Sequence, residues 1–303
     1  MKYDSLVAVL KAFPDEESCI KHLEELRWPM GIVCPCCGST RKIYHVARKH
    51  IYKCADCNKQ FSVRKNTIFE ESRLPLQKWF LAAWLITANR KGIASTQLSR
   101  EIGVSQKTAW FMLGRLREVA GAMAGMGGPM SGTVEADETY MGGKEKNKHA
   151  NKRTNAGRGT VGKITVIGAV ERNGRATAET ANGTTREDIH TFIEGNVSPG
   201  STLYSDDHSG YQEMENYRHE IVNHAAGEYV KGIVHTNHVE SFWALLKRGH
   251  YGIFHKISAK HLHRYLSEYE ARWDMKKMDG LARVDALLES TLGLRLTYRR
   301  LIA

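Results

Sequence analysis

"TVEADETYMGG", residues 133–143, is the stretch on which the fold of the C-terminal half turns. Polar and apolar residues alternate along it. Glu135, Asp137 and Thr139 leave an extended chain on one side, Val134 and Ala136 on the other. A period of two is the mark of a β-strand. The strand therefore presents two acids, Glu135 and Asp137, from one face.

Downstream the pattern switches between strand and helix, the order of an α/β domain. "ITVIGAVERNGRATAET" (164–180) reads as a hairpin turned at Asn173-Gly174. A helix is expected from Arg186 to Glu194, and after Pro199-Gly200 comes "STLYSDDHSGY" (201–211), a brief strand ending in Asp206 and Asp207. "HEIVNH" (219–224) is a further strand. In "HTNHVESFWALLKRGHYG" (235–252), Val239, Phe242, Trp243 and Leu246 recur at i, i+3, i+4 and i+7 and form the apolar stripe of a helix. Asn237, Glu240 and Lys247 lie beside that stripe, within about 80° of one another around the axis, because seven residues are nearly two turns. "SAKHLHRYLSEYEARWDM" (258–275) is a last long helix, and a basic tail ends in "LRLTYRRLIA" (294–303).

A lone Glu/Lys pair on a helix is ordinarily a solvated flank. Two further acids on other elements change that reading. Asp137 on the first strand, Asp206 at the end of a later one and Glu240 on a helix supply what two-metal phosphoryl transfer needs. Two cations about 3.5–4 Å apart must be bridged by one carboxylate and flanked by others. Hard oxygen ligands suit Mg²⁺ or Mn²⁺. Successive strand residues face opposite sides, so only one of Asp206 and Asp207 can join such a site. Glu135 shares the face of Asp137 and is a candidate supporting partner.

Upstream, "GAMAGMGGPMSG" (121–132) breaks all periodicity and reads as a linker. Before it, residues 75–119 divide into an apolar helix over Trp79–Ala88, a helix from Ser95 to Glu101, a Gly103-Val104-Ser105 turn and a helix from Gln106 to Val119. This is the helix-turn-helix pattern, in which Gln106, Lys107 and Thr108 open the recognition helix. Its structural alternative is a plain three-helix bundle. Further upstream, Cys34, Cys37, Cys54 and Cys57 form two CxxC knuckles separated by 16 residues. Two such knuckles close a four-thiolate zinc site, coordinatively full and so structural. Gly38 favours the Cys34/Cys37 register over one using Cys36, and Cys19 reads as a buried apolar residue. Arg41, Lys42, Arg48, Lys49, Lys53, Lys59, Arg64 and Lys65, interleaved with Tyr44, Tyr52 and Phe61, make a phosphate-facing ribbon. A second basic stretch, "KEKNKHANKRTNAGR" (144–158), has no apolar anchor beyond Ala, and its Lys144, Lys146, Lys148, Lys152 and Arg153 read as a loop that orders on DNA.

The totals agree. A formal charge of +11 and a pI near 9.3 favour a polyanionic partner, most simply nucleic acid. The N-terminus lacks a signal peptide's uncharged apolar core, and no run approaches the roughly 18 apolar residues of a membrane span.

Taken together, "VEADETYMGGK" with its basic loop, "YSDDHSGY" and "HTNHVESFWALLKRGHYGIFHKISAKHLHRYLSEYEARW" resemble the zinc-ribbon transposases of bacterial insertion sequences, the IS1595 (ISXO2-like) group. The resemblance covers nearly the whole chain. It implies a multi-domain protein: an N-terminal helix and zinc ribbon (1–70), an all-α helix-turn-helix domain (71–120), a linker (121–132), an α/β ribonuclease H-like DDE transposase domain (133–280) and a helical tail (281–303). It further implies Asp137, Asp206 and Glu240 as the acidic triad, with Lys247 as the basic residue on the same helix. The family pattern puts its acid first in the Asp206-Asp207 pair. Its third position accepts Glu, Asn or His, which leaves Asn237 beside Glu240, although the charge of two cations favours Glu240. The implied cofactors are structural Zn²⁺ and catalytic Mg²⁺ or Mn²⁺. The implied partners are double-stranded DNA, as element ends and target, and further copies of the chain in a homodimer or larger assembly. The implied location is cytoplasmic, on the bacterial nucleoid. The competing readings are a DNA-binding regulator with an inactive nuclease-like domain and a general metal-dependent nuclease.

Overall fold

A computed structural model describes residues 5–46, 50–143, 148, 149, 151, 153, 160–222 and 234–302. In chain order its elements are α1 (Leu6–Ala12), α2 (Glu16–Arg27), β1 (Ile43–His45), β2 (Tyr52–Cys54), β3 (Gln60–Phe61), α3 (Leu76–Ala88), α4 (Ser95–Ile102) and α5 (Gln106–Gly125). There follow β4 (Thr133–Met141), β5 (Ile164–Glu171), β6 (Ala176–Ala181), α6 (Arg186–Asn196), β7 (Thr202–Asp206), β8 (Arg218–Val222), α7 (Asn237–Gly249), α8 (Ala259–Asp274), α9 (Gly280–Glu289) and α10 (Tyr298–Ile302). They form two compact units, one of residues 1–123 with 277–303 and one of residues 124–276.

The first unit is built around α3. Its Leu76, Trp79, Phe80, Ala82, Ala83, Leu85 and Ile86 are all buried, as an apolar helix without a polar face requires. Val284, Leu287 and Leu288 of α9 share this core, so the C-terminal chain returns to complete it. Between α4 and α5, Gly103 takes the left-handed conformation (φ 62°) that ends a helix, and Ser105 Oγ accepts the Thr108 amide at 3.1 Å to begin the next. α5 continues to Gly125, through the first residues of the expected linker. Val119 and Ala120 are buried and Met123 packs on the core, and this burial outweighs the low helix propensity of glycine.

The second unit is a mixed sheet, ordered β6-β5-β4-β7-β8, with helices on both faces. β4 is antiparallel to β5 and parallel to β7, and β7 is parallel to β8. Val134 and Ala136 face α6, where they pack with Ile189, Phe192 and Ile193. Met141, Val166 and Val170 face α7 and α8. By alternation Glu135, Asp137 and Thr139 therefore point to the α7 side.

Edge strand β6 is covered by α8 rather than by another strand. Asp274 Oδ1 accepts the amide of Ala176 at 3.0 Å, and Glu270 Oε1 accepts that of Ala178 at 2.6 Å. These carboxyls close an edge that would otherwise invite intermolecular pairing. Burial pushes Glu270 up to about 8 and Asp274 up to about 6. Both acids hold their protons more tightly in the folded chain than in the unfolded one. The stability they contribute is complete below the ordinary carboxylate range and is lost as pH rises through these values. We predict that this unit weakens between about pH 4 and pH 8, by at most about 1.4 kcal/mol per pH unit for each group. Chemical denaturation across that range should show the slope, and Glu270→Gln should flatten it.

Candidate functional site

The four knuckle cysteines, Cys34, Cys37, Cys54 and Cys57, bring their sulfurs within 4.8 Å of one another. The Ile43↔Cys54 pairing of β1 with β2 ties the chain that follows the first knuckle to the second. Sγ–Sγ separations of 3.7 Å, in the Cys34–Cys57 and Cys37–Cys54 pairs, fit an ion at the centre of a tetrahedron. Zinc–sulfur bonds of about 2.3 Å require sulfur separations of about 3.8 Å. Cys36 contributes its amide, which donates to Cys34 Sγ at 3.4 Å, and its thiol stays outside the cluster. Cys19 is buried, as expected of a small apolar residue.

In the second unit the paired register of β4 and β7 ends at Glu135↔Tyr204. Two residues further on, Asp137 and Asp206 fall on the same α7-side face. Asp207 is exposed, past the last residue of β7. The Asp137 carboxyl is pushed up to about 7, first by burial and then by the charges of Glu138 and Asp206. Burial and Asp206 also raise Glu138, whose Oε2 accepts a 3.3 Å hydrogen bond from the buried Tyr211 hydroxyl. Three carboxylates thus crowd one strand end, where the charge of Asp206 opposes ionisation of both Asp137 and Glu138, a situation that a bound cation relieves.

Asp137 is held from the helix side. Trp243 Nε1 donates to its Oδ2 at 3.0 Å, so this residue of the apolar stripe is also a hydrogen-bond donor to the site. The indole lies over Gly168, which pairs with Asp137 across β4 and β5. A Cβ at Gly168 would overlap the ring.

Helix α7 is itself fastened by Glu135, whose side chain is fully buried. Glu135 Oε2 accepts the backbone amides of His238 at 2.7 Å and Val239 at 3.3 Å. Its Oε1 meets Arg172 Nε at 2.9 Å, His238 Nδ1 at 2.8 Å and His235 Nδ1 at 3.2 Å. Glu240, in the first turn of α7, is exposed, and its Oε1 accepts the Thr236 hydroxyl at 3.1 Å. Asn237 is exposed and Lys247 half-buried. Glu240 and Lys247 flank the stripe on the side of Trp243, within about 60° of it around the helix axis.

Among the described residues, Asp137, Asp206 and Glu240 are not a group whose oxygens all approach within 4.8 Å; the cysteine cluster and Glu135-His235-His238 are the groups that do. Elsewhere, Gln106 and Lys107 are exposed and Thr108 half-buried at the start of α5. Lys148 and Arg153 are joined by a 2.9 Å bond from Arg153 Nε to the Lys148 carbonyl. Lys144, Lys146 and Lys152, with Arg48 and Lys49 of the ribbon, lie outside the described residues.

Residues 129–274 match the model of the ISXO2-like transposase domain, and residues 14–60 match that of the transposase zinc-ribbon domain. A relative from Halobacterium salinarum, an uncharacterized protein in transposable element ISH50, is 30% identical over 305 residues, covering 93% of this chain and 99% of the relative. The chain belongs to the ISXO2-like transposase family.

In this transposase the zinc-ribbon segment contains all four clustered cysteines, and the ISXO2-like segment contains the crowded strand end and all of α7. Zinc is the ion that the ribbon's thiolates suit. Among the described residues, no helix is long and apolar enough to cross a membrane. The part played by Glu138, Tyr211, Arg172 and the histidine pair did not emerge from sequence reading. The Asp137-Glu138 doublet and the i, i+3 spacing of His235 and His238 were the local signals, and the other contacts join residues far apart in the chain.

Two outcomes follow from these contacts. Zinc removal by a strong chelator, or Cys54→Ser, should abolish stoichiometric zinc in elemental analysis and lower the melting temperature, because the small ribbon depends on the metal. Gly168→Ala should cost about 1–3 kcal/mol in chemical denaturation and alter tryptophan fluorescence, because the Trp243 ring must move.

Proposed function

We propose that this transposase binds the ends of its element and cuts and rejoins DNA strands with two divalent cations, Mg²⁺ or Mn²⁺, held by Asp137, Asp206 and Glu240. The observation that carries the reading is the juxtaposition of the buried Asp137 with Glu138 and Asp206 where the parallel strands β4 and β7 run side by side, which raises the Asp137 carboxyl. A fold that maintains such repulsion at a strand end gains most from a cation placed there. The strand order supports a ribonuclease H-like sheet: β4 is antiparallel to the second strand of its unit and parallel to the fourth. The α4–Gly103–α5 hairpin, with its capped second helix, supports a helix-turn-helix whose Gln106, Lys107 and Thr108 meet DNA.

When bound, the two cations would activate the attacking water or 3′-hydroxyl and stabilise the departing oxygen. The chain's own groups do the placing. Trp243 fixes the rotamer of Asp137 through its indole N–H. Lys247 lies two turns along α7 from Glu240, where its ammonium can meet a phosphate of the bound strand. Glu135 ties the start of α7 to β4 and thereby sets Glu240 relative to Asp137. Cation ligands spread around a metal pair about 3.5–4 Å wide need not approach one another as closely as ligands of a single ion. Lys148 and Arg153, with the rest of the basic 144–158 stretch, would follow the DNA backbone, and copies of the chain would pair two element ends.

The test is strand cleavage and joining on duplexes taken from the DNA that flanks the gene. Asp137→Asn should abolish Mg²⁺-dependent cleavage and leave DNA binding in place; cleavage at wild-type rates would reject the assignment. Equal cutting of unrelated duplexes would instead indicate a general nuclease. Glu135→Gln should lower cleavage by roughly 10–100-fold with zinc content at wild type and a much smaller loss of DNA affinity, because a loosened α7 displaces Glu240 and Lys247 but leaves the α4–α5 hairpin in place.

A further inference from the structure

The last residues of the chain pack against the helix that we read as the recognition helix, and they do so by dedicated contacts. Leu296 and Leu301 are buried, at 4% and 2% exposure. The buried Arg115 of α5 donates from Nε to the Leu296 carbonyl at 3.0 Å. Gly114, in the interior of α5, leaves the room for Leu301, since a Cβ there would stand 2.9 Å from Leu301 Cδ2. A glycine in mid-helix costs about 1 kcal/mol relative to alanine, and this close approach accounts for it. Before α10, Gly293 turns with φ 74° and donates to Asn66 at 2.9 Å, Leu292 bridges to Thr67, and Arg295 pairs with Glu71 at 2.7 Å.

These anchors hold a segment whose outward residues are cationic and aromatic. Arg299 and Arg300 are exposed, and Tyr298 is 40% exposed. The Tyr298 ring meets Phe111 edge-on at 5.8 Å, and the Lys107 ammonium sits 5.2 Å from its centroid. Lys107 lies in the first turn of α5, so Tyr298 docks the start of α10 against that end of the helix. The segment lies outside residues 14–60 and 129–274, the spans of the two family models.

We propose that residues 295–302 form a fixed phosphate-binding arm, in which Arg299 and Arg300 grip the duplex backbone next to the bases met by the start of α5. Guanidinium groups recognise phosphate oxygens by paired hydrogen bonds, and an arm already docked by Leu296 and Leu301 does not have to be ordered when DNA arrives. Lys107, steadied by Tyr298, extends the same cationic strip. The proposal rests on the reading of α4–α5 as a DNA-binding hairpin.

The experiment measures binding by the full-length, zinc-loaded chain across a salt series. The probes are a fluorescent duplex from the DNA flanking the gene and a scrambled duplex of equal length. R299Q/R300Q should weaken both duplexes by the same factor, roughly 3- to 10-fold per arginine. It should also make the dependence on salt shallower by about 1 per lost phosphate contact, with the melting temperature unchanged. Q106A should weaken the flanking duplex selectively, and K107Q should weaken both. Unchanged affinity and salt slope for R299Q/R300Q, with K107Q and Q106A impaired, would overturn the arm and leave the hairpin reading standing. Loss of affinity for R299Q/R300Q alone would reject the hairpin as the reader of DNA and with it the placement of the arm beside the bases that α5 meets. No effect from any of the three variants would reject both.

Discussion

A carboxylate sealed from water fastens one helix of this transposase to its sheet. Glu135 sits near the start of β4 with no solvent exposure, and such a charge is tolerated only when donors surround it. Two amides at the start of α7, the Arg172 guanidinium and the His238 imidazole do so. Displacing α7 would strand the charge, so the position of the helix follows from electrostatics as much as from the packing of Val239, Phe242, Trp243 and Leu246. Whatever α7 carries is held in a defined place above the sheet.

Two residues along the same face the logic is inverted. Asp137 has a Trp243 N–H as partner but also Glu138 and Asp206 as neighbours, and its carboxyl is correspondingly raised. One carboxylate of β4 is fully compensated by the protein and the next is left needing positive charge. The Trp243 contact also explains Gly168, whose missing side chain lets the indole cross β5 to reach Asp137.

The first unit meets a different shortage. A three-strand ribbon with short strands has little core, and the four thiolates around an ion supply what burial cannot. The helices beside it are completed by chain that arrives from beyond the second unit, through α9 in the core and α10 on α5. Residues on both sides of the α/β unit in sequence thus build the first unit.

Much of this was legible in the amino-acid order, because local periodicity and spacing carry it. The CxxC knuckles, the Asn173-Gly174 hairpin, the alternation along 133–141 and the stripe of α7 are all set by neighbours within a few residues. So is the pairing of Asp137 with Asp206 on one face, once the two strands are known to be parallel neighbours. Other features needed the folded chain. That Glu135 is an anchor, that Trp243 reaches a carboxylate, that Glu138 joins the crowd and that the tail docks on Gly114 are contacts between residues tens to hundreds of positions apart. No local pattern encodes such contacts, since burial and hydrogen-bond partners are assigned only when distant segments close on one another. Local sequence determined which side chains were offered to each face; tertiary packing decided which of them were satisfied and which were left seeking a partner.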